Sequence, residues 1–218
     1  PGQLPIHRMT SVSKHRIKAC ILMGAPGAGK GTQGAILGRI PRFHHFSMGD
    51  AFRALDTRTE IGQEFVRYSS SGQLVPDEVT VRFFMSQVAS RIESHLFKPD
   101  IDILILDGIP RNRRQAALLE AHLDVVQLFH LSCPNREELV RRLRKRALKE
   151  GRLDDATETV IRNRILTYEA ETKELLEHYA GSLIAEVNGL QPPVKVLSDL
   201  IQIILLNPSW KDMSRQIV

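Results

Sequence analysis

The feature that most constrains the fold of this chain is a glycine-rich segment, GAPGAGKGT, at residues 24–32. It directly follows an apolar run at residues 19–23 and precedes an amphipathic stretch that begins at Lys30. Glycines let successive backbone N–H groups turn toward phosphate oxygens, and the start of a helix adds a partial positive charge. A lysine at this position reaches the phosphates as a point charge. The segment therefore predicts a phosphate-binding loop between a strand and a helix.

Five short apolar runs are typical of strands, and amphipathic stretches lie between them. The predicted strands cover residues 18–23, 43–46, 103–106, 126–131 and 182–187. The predicted helices cover residues 30–39, 79–94, 113–123, 136–149, 157–179 and 194–206. Strands that alternate with helices indicate a parallel sheet. We therefore expect an α/β, three-layer P-loop fold with a central parallel sheet of about five strands and helices on both faces.

Two regions interrupt this alternation. Residues 47–76 contain only short helical pieces, and residues 146–155 form a polar loop. Both follow strands or their helices on the carboxyl side of the predicted sheet, where open α/β sheets bind ligands. We expect a small lobe and a short loop inserted into a single domain of residues 18–207. A flexible basic extension is expected at residues 1–17, and a tail at residues 208–218.

Charge and composition narrow the class of ligand. The net charge is +5, yet the arginines form no long tract and few aromatic residues lie among them. A phosphorylated small molecule therefore explains the charge better than a nucleic acid does. The apolar runs are too short to cross a bilayer, so no membrane association is expected. Cys20 and Cys133 have neither a disulfide pattern nor a metal-binding spacing, which favours a cytoplasmic protein. The acid-poor N-terminal segment leaves organellar targeting open.

The sequence KGTQ at residues 30–33 narrows the possibilities further, because the whole loop resembles that of the adenylate kinase family. The resemblance extends over residues 18–206 through motifs in the family's order. These motifs are residues 47–50 with Arg53, residues 72–77, residues 107–111 with Gln115, the pair Arg142 and Arg146, and residues 151–155. It implies reversible Mg²⁺-dependent phosphoryl transfer, ATP + AMP = 2 ADP. It also implies that residues 47–76 bind the monophosphate and that residues 146–155 form a short lid.

The resemblance also implies a role for particular residues. The implied catalytic residues are Lys30, Asp107, Arg111, Arg146, Arg152 and Arg164. The implied ATP-binding residues are Gly27, Ala28, Gly29, Lys30, Gly31, Thr32, Arg142 and Gln191. The implied AMP-binding residues are Met48, Arg53, Val75, Gly108, Arg111, Gln115, Arg152 and Arg164. Mg²⁺ is expected near Thr32 and Asp107, held through water.

Three of these roles also have a physical argument. Asp107 ends a buried apolar run, so its carboxylate should lie at the carboxyl edge of the sheet, where it can hold Mg²⁺ through the metal's water shell. Arginine side chains such as Arg111 have a planar fork that suits a phosphate group. The amide of Gln115 offers one donor and one acceptor group to an adenine edge.

Several alternatives stay open at this point. Met48 stands where AMP-selective members usually have Thr, and Ile109 where an aromatic residue is commoner, so a UMP/CMP-type kinase is the alternative substrate class. A non-catalytic P-loop nucleotide-binding module is the alternative outside enzymes. Arg162 is an alternative to Arg164 as the phosphate-contacting arginine. We expect a monomer, and no structural zinc, because residues 146–155 lack a cysteine or histidine set.

Overall fold

The computed structural model of the chain describes residues 16–70, 75–150 and 157–210. In these ranges the strands are β1 Ile17–Gly24, β2 Phe43–Ser47, β3 Ile103–Asp107, β4 Leu123–Ser132 and β5 Ile184–Asn188. The helices are α1 Lys30–Leu37, α2 Met48–Arg53, α3 Glu60–Ser70, α4 Asp77–Glu93, α5 Arg113–Leu119, α6 Arg136–Glu150, α7 Glu158–His178 and α8 Pro193–Leu206. Among the helices of the described ranges, none is both long and apolar enough to cross a membrane.

The five strands form one sheet in the order β2-β3-β1-β4-β5. All four neighbouring pairs are parallel, which confirms the predicted α/β fold. Because the strands are parallel, their carboxyl ends meet at one edge of the sheet. β1 is the central strand, so the glycine-rich segment that follows it opens at the middle of that edge.

Several element boundaries differ from the sequence-based prediction, and two of these differences lie at turns. The helix predicted at residues 113–123 ends at Leu119, because the chain turns there and β4 begins at Leu123, opposite Ile17 of β1. The strand predicted at residues 182–187 begins at Ile184, because Gly181–Leu183 form a 3₁₀ turn. In both places the apolar pattern does not mark where the turn lies, and hydrophobic periodicity alone does not reveal such a turn.

The sheet is the middle layer of three, because successive side chains of its strands enter two different hydrophobic clusters. On β1, Ala19, Ile21 and Met23 belong to one cluster, whereas Cys20 and Leu22 belong to the other. Residues of α2, α4 and α5 pack into the first cluster. Residues of α1, α6 and α8 pack into the second. Burial on both faces explains why the central strands are nearly continuous apolar runs.

Helix α1 approaches strand β2 unusually closely, and two glycines make this approach possible. A Cβ atom on Gly34 would lie 2.6 Å from His45 Cδ2, and one on Gly38 would lie 2.5 Å from His45 Cβ. Such distances are too short for a larger side chain unless the His45 ring moves, at Gly34, or the strand itself moves, at Gly38. The two glycines therefore fix the position of α1 on the sheet, and with it the start of the helix beside the glycine-rich segment.

This contact predicts the effect of Gly38→Ala on stability. The backbone of Gly38 has φ −67°, which alanine adopts freely, so only the contact with His45 opposes the substitution. We expect the free energy of unfolding to fall by about 1–3 kcal/mol, the usual cost of overpacking. Urea denaturation measures the change. Gly181→Ala is the matched control, since a Cβ there meets nothing within 4 Å. Equal stability of the two variants would contradict the close packing of α1.

Candidate active site

The carboxyl edge of the sheet brings segments that are distant in sequence next to one another. Asp107, the last residue of β3, lies in register with Leu22 of β1 and with Ser47 of β2. Gly24, the last residue of β1, lies in register with Leu131 of β4. The glycine-rich segment therefore leaves the sheet between the end of β4 and the Asp107 carboxylate.

The glycine-rich segment has a backbone conformation that its glycines allow. Gly27 and Gly29 have φ values of 86° and 102°, in the left-handed region that other residues rarely adopt. Gly29 is the N-cap of α1, and no described side chain caps this helix start. Its first N–H groups are therefore available to an anion. Gly31 and Thr32 are exposed on this first turn, whereas Ala28 is buried behind it.

The Lys30 amine is hydrogen-bonded to backbone oxygens, and a bound phosphate is expected to compete with these oxygens for the amine. Its Nζ donates hydrogen bonds to the backbone oxygens of Gly24 at 2.6 Å and Ala25 at 3.1 Å. Burial lowers the pKa of Lys30, and the nearby Asp107 carboxylate opposes this shift. Repulsion from three further charges lowers the pKa more, and these charges are Arg111, Arg146 and Arg164. Five of the six predicted catalytic side chains thus share one electrostatic neighbourhood.

The carboxylate of Asp107 fits a hydrated magnesium ion. Its side chain is buried, and its Oδ2 lies 3.5 Å from the position of a Cβ on Gly31, one residue before the exposed Thr32. Mg²⁺ prefers oxygen ligands and keeps several waters, so one carboxylate and one hydroxyl beside a phosphate suffice. In the described ranges, no group of three or more His, Cys, Asp or Glu is arranged to hold a metal ion by itself.

Arg111 and Gln115 are joined by a hydrogen bond in the turn that follows β3. The N–H of Arg111 donates to Gln115 Oε1 at 2.9 Å, and Arg111 Nε donates to the oxygen of Gly108 at 3.1 Å. Gln115 is buried, and its Nε2 donates to Asp77 Oδ1 at 2.8 Å. The guanidinium that neighbours Lys30 and the amide predicted to contact the base therefore belong to one local structure.

Arg142 lies on the opposite side of the glycine-rich segment, where it contacts the turn after β5. Its Nη1 donates to the oxygen of Gly189 at 2.9 Å, and its Nε donates to Glu138 Oε1 at 2.8 Å. A Cβ on Gly189 would lie only 3.1 Å from the oxygen of Ala28, so this turn packs directly against the segment. The amide of Gln191 holds the same turn, because it donates to the oxygen of Asn188 at 3.1 Å.

Three residues predicted to bind the monophosphate, Met48, Arg53 and Val75, are not among the charged neighbours of Lys30. The side chain of Met48 is fully buried in the hydrophobic core, as is Ile109, so neither presents exposed surface to a ligand here. Arg53 forms an ion pair with Asp50 on α2. Val75 is half-buried just before α4. Their contacts with a monophosphate stay predictions.

The structure separates the two candidate arginines of α7. Arg162 forms ion pairs with Glu137 of α6 at 2.8 Å and with Glu158 at 2.8 Å. Arg164 is one of the charges that lower the pKa of Lys30, whereas Arg162 is not among them. This placement favours Arg164 as the phosphate-contacting residue. Arg152, together with residues 151–155 of the predicted lid, lies outside the described residues.

Two acidic residues of the cleft were not singled out from the sequence. Asp77 lies in the quoted motif of residues 72–77, but only the structure shows that it accepts a hydrogen bond from Gln115. Glu171 of α7 has a raised pKa, caused first by burial, opposed by Arg111 and reinforced by Asp77. Its helical pattern gives no signal that it faces the cleft, because an acidic residue on an amphipathic helix is usually solvated.

Comparison with known proteins shows that the chain is similar to adenylate kinases. The family model described as adenylate kinase matches residues 22–183. The adenylate kinase of Leptospira biflexa is 36% identical over 193 residues, which cover 85% of this chain and 99% of that protein. The adenylate kinase of Nocardia farcinica is 39% identical over 179 residues, which cover 78% of this chain and 90% of that protein. The adenylate kinase of a Cyanothece species is 38% identical over 192 residues, covering 84% and 93%.

The separate positions of the two α7 arginines predict different effects on phosphate binding. Arg164→Gln should weaken the binding of inorganic tripolyphosphate about tenfold or more, because a charged hydrogen-bonding group is lost from the cleft. Arg162→Gln should leave this binding unchanged and lower the free energy of unfolding by at most about 1 kcal/mol, as its ion pairs are partly exposed. Titration calorimetry measures the affinities. Weaker binding in Arg162→Gln than in Arg164→Gln would reverse the assignment.

Proposed function

This chain belongs to the adenylate kinase family, and we propose that it transfers a phosphoryl group reversibly from ATP to AMP, giving two ADP. It is a nucleoside monophosphate kinase and therefore a phosphotransferase. The observation that carries the proposal is the convergence of Lys30 and three arginines on one carboxyl edge of the sheet, beside an uncapped helix start. Two phosphorylated substrates supply the negative charge that balances such a cluster.

The transfer itself requires positioning and charge stabilisation more than covalent chemistry by the protein. A phosphate oxygen of AMP forms a bond to the γ-phosphorus of ATP, and the bond from that phosphorus to the β–γ bridging oxygen breaks. The transferred group carries its charge on equatorial oxygens, which cationic side chains stabilise. Lys30 exchanges its backbone acceptors, Gly24 and Ala25, for phosphate oxygens at this stage. The reaction needs no nucleophilic side chain and no general base.

The donor nucleotide fits the side of the cleft formed by the glycine-rich segment. Its phosphates bind the N–H groups between Gly27 and Thr32, and its base stacks on the planar guanidinium of Arg142. The contacts of Arg142 with Glu138 and Gly189 hold that guanidinium in place before the nucleotide arrives. A side chain that is already ordered loses less entropy on binding.

The acceptor monophosphate fits the other side, between the turn after β3 and α7. Arg111 and Arg164 bind its phosphate, and Arg53 lies on α2, which directly follows β2 at the carboxyl edge. Gln115 contacts the base. The amide fits AMP better than UMP, since adenine presents a donor amino group next to an acceptor ring nitrogen and uracil presents the reverse pattern.

Magnesium is the implied cofactor, and the Asp107 carboxylate at this edge suits it. Asp107, through water, and the hydroxyl of Thr32 would hold the ion beside the phosphates. When bound, it supplies positive charge that neutralises the charge developing on the transferred group. The closure of residues 146–155 over the donor, with Arg152, stays a prediction, as do the monomeric state and the cytoplasmic location.

An assay of ADP production tests the proposed function directly. With ATP and Mg²⁺, we expect AMP to give the highest kcat/KM when compared with UMP and CMP. Lys30→Met should lower kcat about 10²–10³-fold, because a preorganised donor to the reacting phosphate is lost. Lys173→Met, the same change at an exposed position of α7, should retain wild-type activity.

Each other result of this assay has a definite meaning. Preference for UMP or CMP would move the enzyme to the pyrimidine-specific branch of the family. Binding of ATP without ADP production from any acceptor would leave only the non-catalytic nucleotide-binding module. Equal activity of Lys30→Met and Lys173→Met would remove Lys30 from the mechanism.

A further inference from the structure

The amide of Gln115 is held in one of its two orientations by one group that can only donate a hydrogen bond and one that can only accept. Its Oε1 accepts from the backbone N–H of Arg111 at 2.9 Å, and its Nε2 donates to Asp77 Oδ1 at 2.8 Å. A backbone N–H can only donate, and an ionised carboxylate can only accept. Rotation of the amide by 180° would set donor against donor and acceptor against acceptor. The pair Arg111 and Asp77 therefore selects a single orientation.

Asp77 is itself held in place. The same Oδ1 atom accepts a second hydrogen bond, from Asn112 Nδ2 at 3.1 Å. Asn112 is the N-cap of α5, and its Oδ1 accepts from the N–H of Gln115 at 2.9 Å. The start of α4 and the start of α5 are thus joined through Asp77, Asn112 and Gln115. Gln115 is only 4% exposed, so its orientation cannot be reset easily by solvent.

The fixed amide has one unused acceptor and one unused donor, and these define a preferred base. A primary amide accepts two hydrogen bonds at its oxygen and donates two from its nitrogen, and one of each is used internally. A 6-amino purine presents a donor at position 6 and an acceptor at N1, which complement the remaining groups. A 6-oxo purine presents an acceptor at position 6 and a donor at N1, the reverse pattern.

We propose that Asp77 is a positioning residue that fixes the amide of Gln115 and thereby makes the acceptor site select a 6-amino over a 6-oxo purine monophosphate. The proposal rests on the proposed function only in that Gln115 contacts the acceptor base. Asp77 itself touches no reacting group. It acts through the orientation of its neighbour, so its effect belongs to base selectivity rather than to the chemical step.

The neighbouring charges do not provide the same constraint. Glu78, the next residue of α4, forms an ion pair with Arg114 on the surface rather than a hydrogen bond with Gln115. Both acidic residues lie in the first turn of α4, where negative charge favours the helix. A loss of helix stability is therefore common to both positions, whereas an effect on selectivity should be confined to Asp77.

The experiment compares kcat/KM for AMP and for IMP in the full chain and in three variants. Asp77→Ala should lower the AMP-to-IMP ratio about tenfold, because the Arg111 N–H is then the one remaining group that opposes the reversed amide. Asp77→Asn should keep the ratio within about threefold of wild type, since its oxygen can accept the same two hydrogen bonds. Glu78→Ala should leave the ratio unchanged. The KM for ATP should be the same in all four proteins.

Other outcomes would overturn the proposal. A wild-type ratio in folded Asp77→Ala, or an equal loss in Asp77→Asn or Glu78→Ala, would show that Asp77 does not act by orienting the amide. Asp77→Ser, whose hydroxyl is too short to reach Gln115, replaces Asp77→Ala if that variant does not fold. If the wild-type enzyme does not phosphorylate AMP, the proposed function fails. Equilibrium binding of AMP and IMP to the same variants then decides the role of Asp77 separately.

Discussion

The structure depends on the electrostatic balance around the Lys30 amine. Burial and three neighbouring arginines disfavour its charged form, and Asp107 is the carboxylate that opposes them. The amine donates hydrogen bonds to the oxygens of Gly24 and Ala25. Like charges gathered in a partly buried cleft are costly, so the site favours any ligand that supplies several negative charges at this spacing. We propose that the same field binds the phosphates and stabilises the group in transfer.

The fold supports this cluster through a few close contacts. The parallel sheet sets Asp107 and the glycine-rich segment side by side, and Gly34 and Gly38 allow α1 to lie against His45. On the donor side, Gly189 brings the turn after β5 against Ala28. Sites carried by packed strands and helices keep their geometry more closely than sites on long loops. The recognition groups are therefore positioned before any ligand binds.

Much of the fold could be predicted from the sequence, and so could the position of the glycine-rich segment at the carboxyl edge of the sheet. Apolar runs and their spacing specify the strands, and the segment around Lys30 has a form that few other structures share. The end of α5 and the start of β5 could not be predicted, because the apolar pattern does not mark the turns at residues 120–122 and 181–183. The hydrogen bond between Gln115 and Asp77 could not be predicted either. The two residues are 38 positions apart, and they meet only because α4 packs against α5. Likewise, the sequence favoured Arg164 but kept Arg162 as an alternative, and the structure distinguishes them by the ion pairs of Arg162 and by the effect of Arg164 on the pKa of Lys30.

The pKa of the Lys30 amine, measured by NMR in a sample carrying ¹³C at the lysine ε-carbons, tests this electrostatic balance most directly. We predict a pKa below the ordinary 10.5 of a lysine in the nucleotide-free enzyme, and a rise when ATP binds, because phosphate charge replaces the backbone acceptors. An ordinary pKa without nucleotide, or one that ATP leaves unchanged, would show that Lys30 is not at the centre of the charge cluster.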